Sequence, residues 1–312
     1  MTRAVKARAK RRRQAPPLPP KRSPWVERGL VGLVAIAVVV VAAALWRVAG
    51  DDRTTTSTDA GPVHVHGLGV NPADGALFIA THTGLYRSGE GASKSVRVGD
   101  NKQDTMGFTV AGPDRFLGSG HPDFQQDLPP LLGLIESTDG GESWEPITLL
   151  GEADFHVLRS AGENVYGYDA SNDRLLVSVD AGRTWEEAQR PAPLVDLAVD
   201  PNDSRHLVAA GASDLFQGLY ESRDGGRSWK TIGDAVGLLA WPTPERLFLV
   251  DSGGAVVQST NGGGRFERRG EIGGQPAALV GQGADELYAA LHDGTIKRST
   301  DGGSTWSVRS TP

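Results

Sequence analysis

From Gly61 to Ser310 the apolar residues come in short runs broken by turns rich in Gly, Asp and Ser, a pattern of brief strands joined by tight loops. The runs align in columns. A first column reads HGLGV, GFTVA, HVLRS, VDLAV, VGLLA and AALVG, and a second reads ALFIA, NVYGY, HLVAA, RLFLV and ELYAA. A third contains GLYRS from Gly84, GLYES from Gly218 and AVVQS from Ala255. The segment VNPADGALFIA at Val70 is mirrored by VDPNDSRHLVA at Val199, so the first and fourth units share one plan. Six such units are predicted, each a small sheet.

Behind the third column an octet recurs: STDGGESW from Ser137, SVDAGRTW from Ser178, SRDGGRSW from Ser222, STNGGGRF from Ser259 and STDGGSTW from Ser299. The interval is 37 to 44 residues. Self-similarity at that period signals stacked supersecondary units, and four-stranded propeller blades have about this length. The octet reads as a hairpin tip whose Asp accepts bonds from turn amides, whose glycines permit positive φ, and whose aromatic ring plugs the loop. The first unit keeps only SGEGASK after Arg87; the second octet has Ala181 for Gly, and the fourth has Asn261 for the acid and Phe266 for Trp.

These octets resemble the Asp-box, or bacterial neuraminidase, repeats found in sialidases and many other propellers. The resemblance implies a fold and says almost nothing about catalysis, because in sialidases the boxes lie away from the active face. The expected architecture is all-β, a six-bladed β-propeller over 62–312, closed by packing of the sixth blade on the first without an exchanged strand.

Composition adds a compartment. The chain has 41 Gly and no Cys, which fits a turn-rich body held by packing instead of disulfides. Between Arg28 and Arg47 lie 18 residues without a charge, GLVGLVAIAVVVVAAALW, with Trp25 and Trp46 at its edges. As a helix this stretch is about 27 Å long, enough to cross most of a bilayer. The reading is a basic, proline-rich cytoplasmic tail (1–28), a signal-anchor helix (29–46), a polar linker (47–61) and an exported propeller. A cleaved signal peptide is the alternative, but a positive region this long argues for retention. Residues 1–50 hold eleven Lys and Arg against one acid, which leaves twenty-one bases against thirty-seven acids beyond them, a formal balance of −16. A body so acidic is excluded as a nucleic-acid binder.

In a propeller the loops before strand one and after strand two open on the face opposite the octets. His64 and His66 begin the first strand of the first unit, and His156 lies near the start of that strand in the third. His82, His121 and His292 follow strand two of units one, two and six. Only His206 points elsewhere. The six on one face concentrate in the sector of blades six, one and two, where His64 and His66, on one side of a strand, aim at a common point. Imidazoles so gathered can coordinate Zn²⁺ or another divalent transition metal, with Asp104, Asp154 or Asp293 as oxygen ligands or supporting partners. The alternative is six separate loop residues satisfied by carbonyls or water. Tyr166, Tyr168 and Asp169 of NVYGYDAS also reach toward this face; Tyr168, Asp169, His121 and Asp104 are the candidate ligand contacts. The longest departure from the repeat, SGHPDFQQDLPPLLG from Ser119 to Gly133, leaves from the same face and reads as a lid, a specificity loop or a passive extension.

Sialidases need three arginines for the substrate carboxylate, a Tyr and Glu pair, and an early Arg-Ile-Pro-like motif. No such motif precedes the first octet, and Arg183, Arg223, Arg227 and Arg298 sit beside hairpins. Ordinary sialidase catalysis is therefore not expected. The segments HVHGLGVN, ATHTGLYR, DTMGF, SGHPD, LLGLIESTDGG and GEADFH together resemble a group of exported bacterial propellers labelled glycosyl hydrolase or exo-sialidase-like. That implies a shared fold and a glycan as ligand. A second resemblance, to photosystem II assembly-factor propellers, implies an envelope scaffold acting through protein contacts.

Overall fold

The computed structural model describes residues 61–213 and 217–312. The expected basic tail and membrane helix, with all of the linker but Gly61, lie outside the described residues.

The described residues form six four-stranded sheets, each an antiparallel meander in chain order. The innermost strands are Val65–Val70, Asp104–Gly112, Phe155–Ala161, Leu194–Asp200, Leu238–Thr243 and Pro276–Gln282. Neighbouring innermost strands pack in sequence around the ring, and the last packs on the first. The expected six-bladed propeller is therefore what forms, and among the described residues no strand is shared between blades.

The second column of apolar runs becomes the strand behind each innermost one. These strands are covered on both faces by adjacent blades, so they read as unbroken apolar runs and not as alternation. Leu77–Thr81 is buried at every position. The outermost strands, such as Glu145–Thr148 and Glu267–Glu271, are polar because only one face meets protein.

Each apolar cluster draws side chains from two consecutive blades. At the seam of the ring, Val65, Leu68, Leu77, Ile79 and Tyr86 of blade one interdigitate with Ala278, Tyr288, Ala290 and Ile296 of blade six. Burying one such large side chain is worth about 2 kcal/mol, so this seam needs no backbone ladder to hold. Arg309 adds bonds from its guanidinium to the carbonyls of Ser88 (3.3 Å) and Gly89 (2.8 Å). Those carbonyls belong to the tip of blade one, where the octet has decayed.

The other five tips share one hydrogen-bond plan. In blade two Ser137 Oγ donates to Asp139 Oδ1 (2.8 Å) and accepts from Gly141 N (2.8 Å), while Asp139 takes the amide (3.0 Å) and hydroxyl (2.6 Å) of Ser143. The same bonds recur at Asp180, Asp224 and Asp301, whose carboxyls are held down at about 2, first by a hydroxyl of Thr184, Ser228 or Thr305. Asn261 keeps the amide bond from Arg265 (3.0 Å) without a charge. The aromatic plug reaches across to the previous blade: Trp185 Nε1 donates to Thr148 Oγ1 (2.9 Å), and that hydroxyl donates to Gly182 O (2.7 Å).

The paired glycines are required for two different reasons. Gly225 has φ +74 with only Tyr166 Oη and Arg205 Cγ near an added Cβ, at 3.5 and 3.9 Å, whereas a Cβ on Gly182 (φ +85) would stand 2.1 Å from Leu134 Cδ2. Ala181 occupies the equivalent of Gly225 at φ 58, so the first position tolerates a side chain at a strain cost alone. Gly225→Ala is expected to lower unfolding free energy by about 1–2 kcal/mol. Gly182→Ala should cost more than Gly225→Ala, as read from denaturant midpoints, because it adds a steric clash between blades.

Candidate functional site

The meander places the loops before strand one and after strand two at the end of the ring away from the octets. There the innermost strands carry an irregularity that decides which side chains meet. Pairing of Val65–Val70 with Leu77–Thr81 shifts register between Val65 and Gly67, which leaves His66 as the extra residue of a β-bulge. Phe155–Ala161 does the same between Phe155 and Val157, which leaves His156 bulged. Corresponding shifts put Met106, Val195 and Ala277 at the same place in blades two, four and six. A bulge re-aims its side chain, and His66, His156, Val195 and Ala277 all line the axial cavity, which measures about 630 Å³.

Two clusters form around these bulges. In the first, His66 Nε2 lies 3.3 Å from His82 Nδ1 and 3.7 Å from Asp104 Oδ1, and His82 Nδ1 lies 2.7 Å from the same oxygen. Asp104 Oδ1 is buried yet makes no aligned hydrogen bond. His64, at φ 54, brings its ring to 5.7 Å from that of His82. In the second cluster His156 Nε2 lies 2.8 Å and His121 Nε2 3.8 Å from Asp154 Oδ2. The clusters adjoin, because Asp104 and His121 are direct cross-strand partners in blade two.

The sector therefore differs from the one expected. It runs through blades one, two and three, and His292, exposed in its turn with its amide on Gln275 O (3.2 Å), is not gathered in. Asp293 caps the same turn by accepting the Thr295 amide (2.9 Å). The strand-alternation argument for His64 and His66 also fails, since His64 precedes the strand and His66 is bulged. His206 is buried in another part of the ring, between Asp200 Oδ2 and Glu221 Oε1 at 3.0 Å each, with its ring edge-on to Trp241.

Tyr168 and Asp169 are committed to the scaffold. Tyr168 Oη donates to Asp173 Oδ1 (2.5 Å), and burial with that carboxylate pushes the phenol up to about 12. Asp169 is fully buried and accepts from the Asp154 amide (3.2 Å), Asn172 (2.8 Å) and Arg174 (2.8 Å). Burial opposes its ionisation, but those bonds outweigh burial and lower its pKa. Its service to the site is indirect, since it fixes the backbone of Asp154. Farther along the cavity wall Arg159 Nη2 donates to Asp196 (2.5 Å), whose carboxylate also accepts the amides of Leu197 (2.7 Å) and Leu239 (2.8 Å). Burial pushes the Asp196 carboxyl up against those partners, and the pair clasps blades three, four and five. The arginines set aside on sequence grounds are engaged as hairpin neighbours: Arg183 and Arg227 bond the carbonyls of Asp180 and Asp224, Arg223 pairs with Glu221, and Arg298 with Glu286.

Comparison with known proteins follows the fold. The Sortilin-Vps10 family model, described as sortilin, neurotensin receptor 3, matches residues 133–261. A xyloglucanase of Paenibacillus sp is 27% identical over 212 residues, covering 56% of this chain and 19% of the relative. The propeller is related to those of xyloglucanases. Two solved structures carry the same architecture: the GH74 xyloglucanase from Xanthomonas campestris (TM-score 0.51, 20% identity) and the GH74 enzyme of Niastella koreensis (TM-score 0.60, 14% identity). In both cases 80% of this chain overlays 45% of the other, so the chain spans less than half the length of these relatives. At such identity the structural likeness establishes the fold.

His66 gives the site a pH signature. Burial, first, then the charges of His82, His156 and His64, lower its pKa from 6.5 to about 4, with Asp104 opposing. The folded state thus binds fewer protons than the unfolded one between those values. The stability this confers is whole above pH 6.5 and is lost as pH falls toward 4, to a total of about 3 kcal/mol. His156 works in the opposite sense: the bond to Asp154 raises its pKa, so its contribution is whole below 6.5 and lost as pH rises through the folded value. In chelator-treated protein, His66→Gln is expected to flatten the loss of Tm between pH 6.5 and 4, measured by thermal melts.

Proposed function

We propose that this chain is a membrane-tethered, extracytoplasmic propeller of the Asp-box type that binds its ligand through a divalent transition metal held by His66, His82 and Asp104. The observation that carries this reading is the convergence of three donor atoms from two blades within 4.8 Å of one another. Around a four-coordinate ion with bonds of about 2.0–2.1 Å, neighbouring ligand atoms stand about 3.3 Å apart. The separations from His66, 3.3 and 3.7 Å, suit that geometry, and the 2.7 Å between His82 and Asp104 has to open slightly.

Two imidazoles and a carboxylate favour Zn²⁺, Cu²⁺ or Ni²⁺ over Ca²⁺ or Mg²⁺. Burial lowers the pKa of His66 and keeps it neutral, with a lone pair available, at physiological pH. Three protein ligands leave one coordination position for an oxygen of the bound molecule. The similarity to a xyloglucanase points to a glycan as the source of that oxygen. The tether rests on the uncharged 29–46 segment and on the basic residues before it, which orient the propeller outward. The reading is one of binding, and the hairpin-side engagement of the arginines speaks against sialidase chemistry.

Elemental analysis of the purified full-length chain after Zn²⁺ loading and desalting tests it. Bound metal that falls by one equivalent in His82→Ala, together with xyloglucan-oligosaccharide binding that disappears on chelation, is the expected result. Unchanged metal content in His82→Ala would remove the assigned centre, and glycan binding indifferent to chelation would remove the metal from recognition.

A further inference from the structure

Of the six asparagines in the chain only Asn261 precedes a glycine, and it stands in the fourth octet where the other four carry an aspartate. The bonds of the octet act on its side-chain carbonyl. Ser259 Oγ donates to Asn261 Oδ1 (2.8 Å), and the Arg265 amide donates to the same oxygen (3.0 Å). Two fixed donors on one carbonyl oxygen are the arrangement of an oxyanion hole, and they polarise Cγ toward a nucleophile.

The nucleophile next to Cγ along the chain is the amide nitrogen of Gly262. In the other octets the equivalent amides, of Gly140, Ala181, Gly225 and Gly302, donate to the carbonyls of Asp114, Glu163, Arg205 and Asp285 at 2.8–2.9 Å. Among the described residues the Gly262 amide makes no such bond, and without a Cβ the residue does not shield its own nitrogen. The leaving group is equally unencumbered. Elsewhere a hydroxyl of Ser143, Thr184, Ser228 or Thr305 holds the second side-chain oxygen, whereas Arg265 brings no hydroxyl to Asn261 Nδ2. Gly264 stands beside Nδ2 where the other octets have Glu142, Arg183, Arg227 or Ser304, and an added Cβ there would lie 3.0 Å from it. Asn261 is exposed, so water reaches the group.

We propose that Asn261 is a self-modification site, which deamidates in the folded protein and completes the fourth Asp-box. Gly262 N bonds to Asn261 Cγ, the Cγ–Nδ2 bond breaks, and ammonia leaves with the hydrogen that Gly262 N gives up, so that a five-membered cyclic imide remains. Water then adds at Cγ, the bond from Cγ to Gly262 N opens, and that nitrogen regains its hydrogen. The sum is one water consumed, one ammonia released and one side-chain amide turned into a carboxylate. The step is intramolecular, so it needs positioning and no enzyme. The two donors that favour closure at Cγ also favour reopening at Cγ, which yields aspartate; attack on the backbone carbonyl of residue 261 would yield isoaspartate. The new carboxylate keeps the bonds from Ser259 and the Arg265 amide, the counterparts of those that Asp139 takes from Ser137 and the Ser143 amide. Blade five thereby gains a negative charge at its tip.

The purified full-length chain is held at mildly alkaline pH, one sample in buffer and one in guanidinium chloride, with far-UV circular dichroism to verify that the first stays folded. Tryptic peptide 247–265 is then followed by mass spectrometry, with fragmentation that separates aspartate from isoaspartate. In the folded chain Asn261 is expected to convert while the other five asparagines persist, with aspartate the larger product; the unfolded chain is expected to give more isoaspartate. Ser259→Ala, which removes one donor, should slow conversion several-fold and raise the isoaspartate share. Asn261 that persists in the folded chain while it converts in guanidinium would overturn the proposal, as would isoaspartate as the larger product of the folded chain.

Discussion

A sheet of four short strands with apolar residues on both faces cannot stand in water, and the whole molecule follows from that constraint. Each blade is covered by the blade before and the blade after, which leaves closure into a ring as the arrangement without a bare face. The seam between blades six and one solves the same problem with side chains alone, through Tyr86, Ile79, Tyr288 and Ile296. The octet tips then act as braces, because Trp185 and Gly182 bond Thr148 of the preceding blade. Where the octet has decayed, at Ser88 and Gly89, Arg309 supplies the missing brace from the neighbouring blade.

With stability placed at the tips and between the faces, the opposite end of the ring is free to carry irregular backbone. Bulges there leave one residue outside the ladder in five of the six innermost strands, and in four of them that residue lines the axial cavity. In blades four and six that residue is Val195 or Ala277, which merely lines the cavity; in blades one and three it is His66 or His156. A single structural position thus does two different jobs depending on the side chain it is given.

The fold was legible because its signal is repeated: five octets, and apolar columns that cannot be satisfied except by stacking. The site was legible only in part. Face assignment follows from the order of strands, and it brought His66, His82, Asp104, His121 and His156 to one end. The sector differs because equal positions in the repeat do not bring side chains together: His292 follows strand two as His82 does, yet His82 lies beside Asp104 and His292 stays exposed in its turn. Period-two alternation likewise grouped His64 with His66, whereas a bulge breaks that count, and nothing in the letters VHVHG announces a bulge. Tyr168 and Asp169 read as open-face polar residues, yet Asp173 and Arg174, a few positions on, occupy them. Local partners of this kind are visible only when the turn geometry is known.

The seam between the first and last blades has a mechanical side. An added Cβ on Gly61 would stand 3.0 Å from the Pro312 carbonyl carbon, so the two extremities of the toroid lie side by side. Residue 61 therefore lies at the junction of blades six and one, where Tyr86 and Tyr288 interlock with neighbouring aliphatics. Like the clasp of a bracelet, this junction joins blades that share no strand, so side-chain packing and the Arg309 bonds alone hold it shut among the described residues.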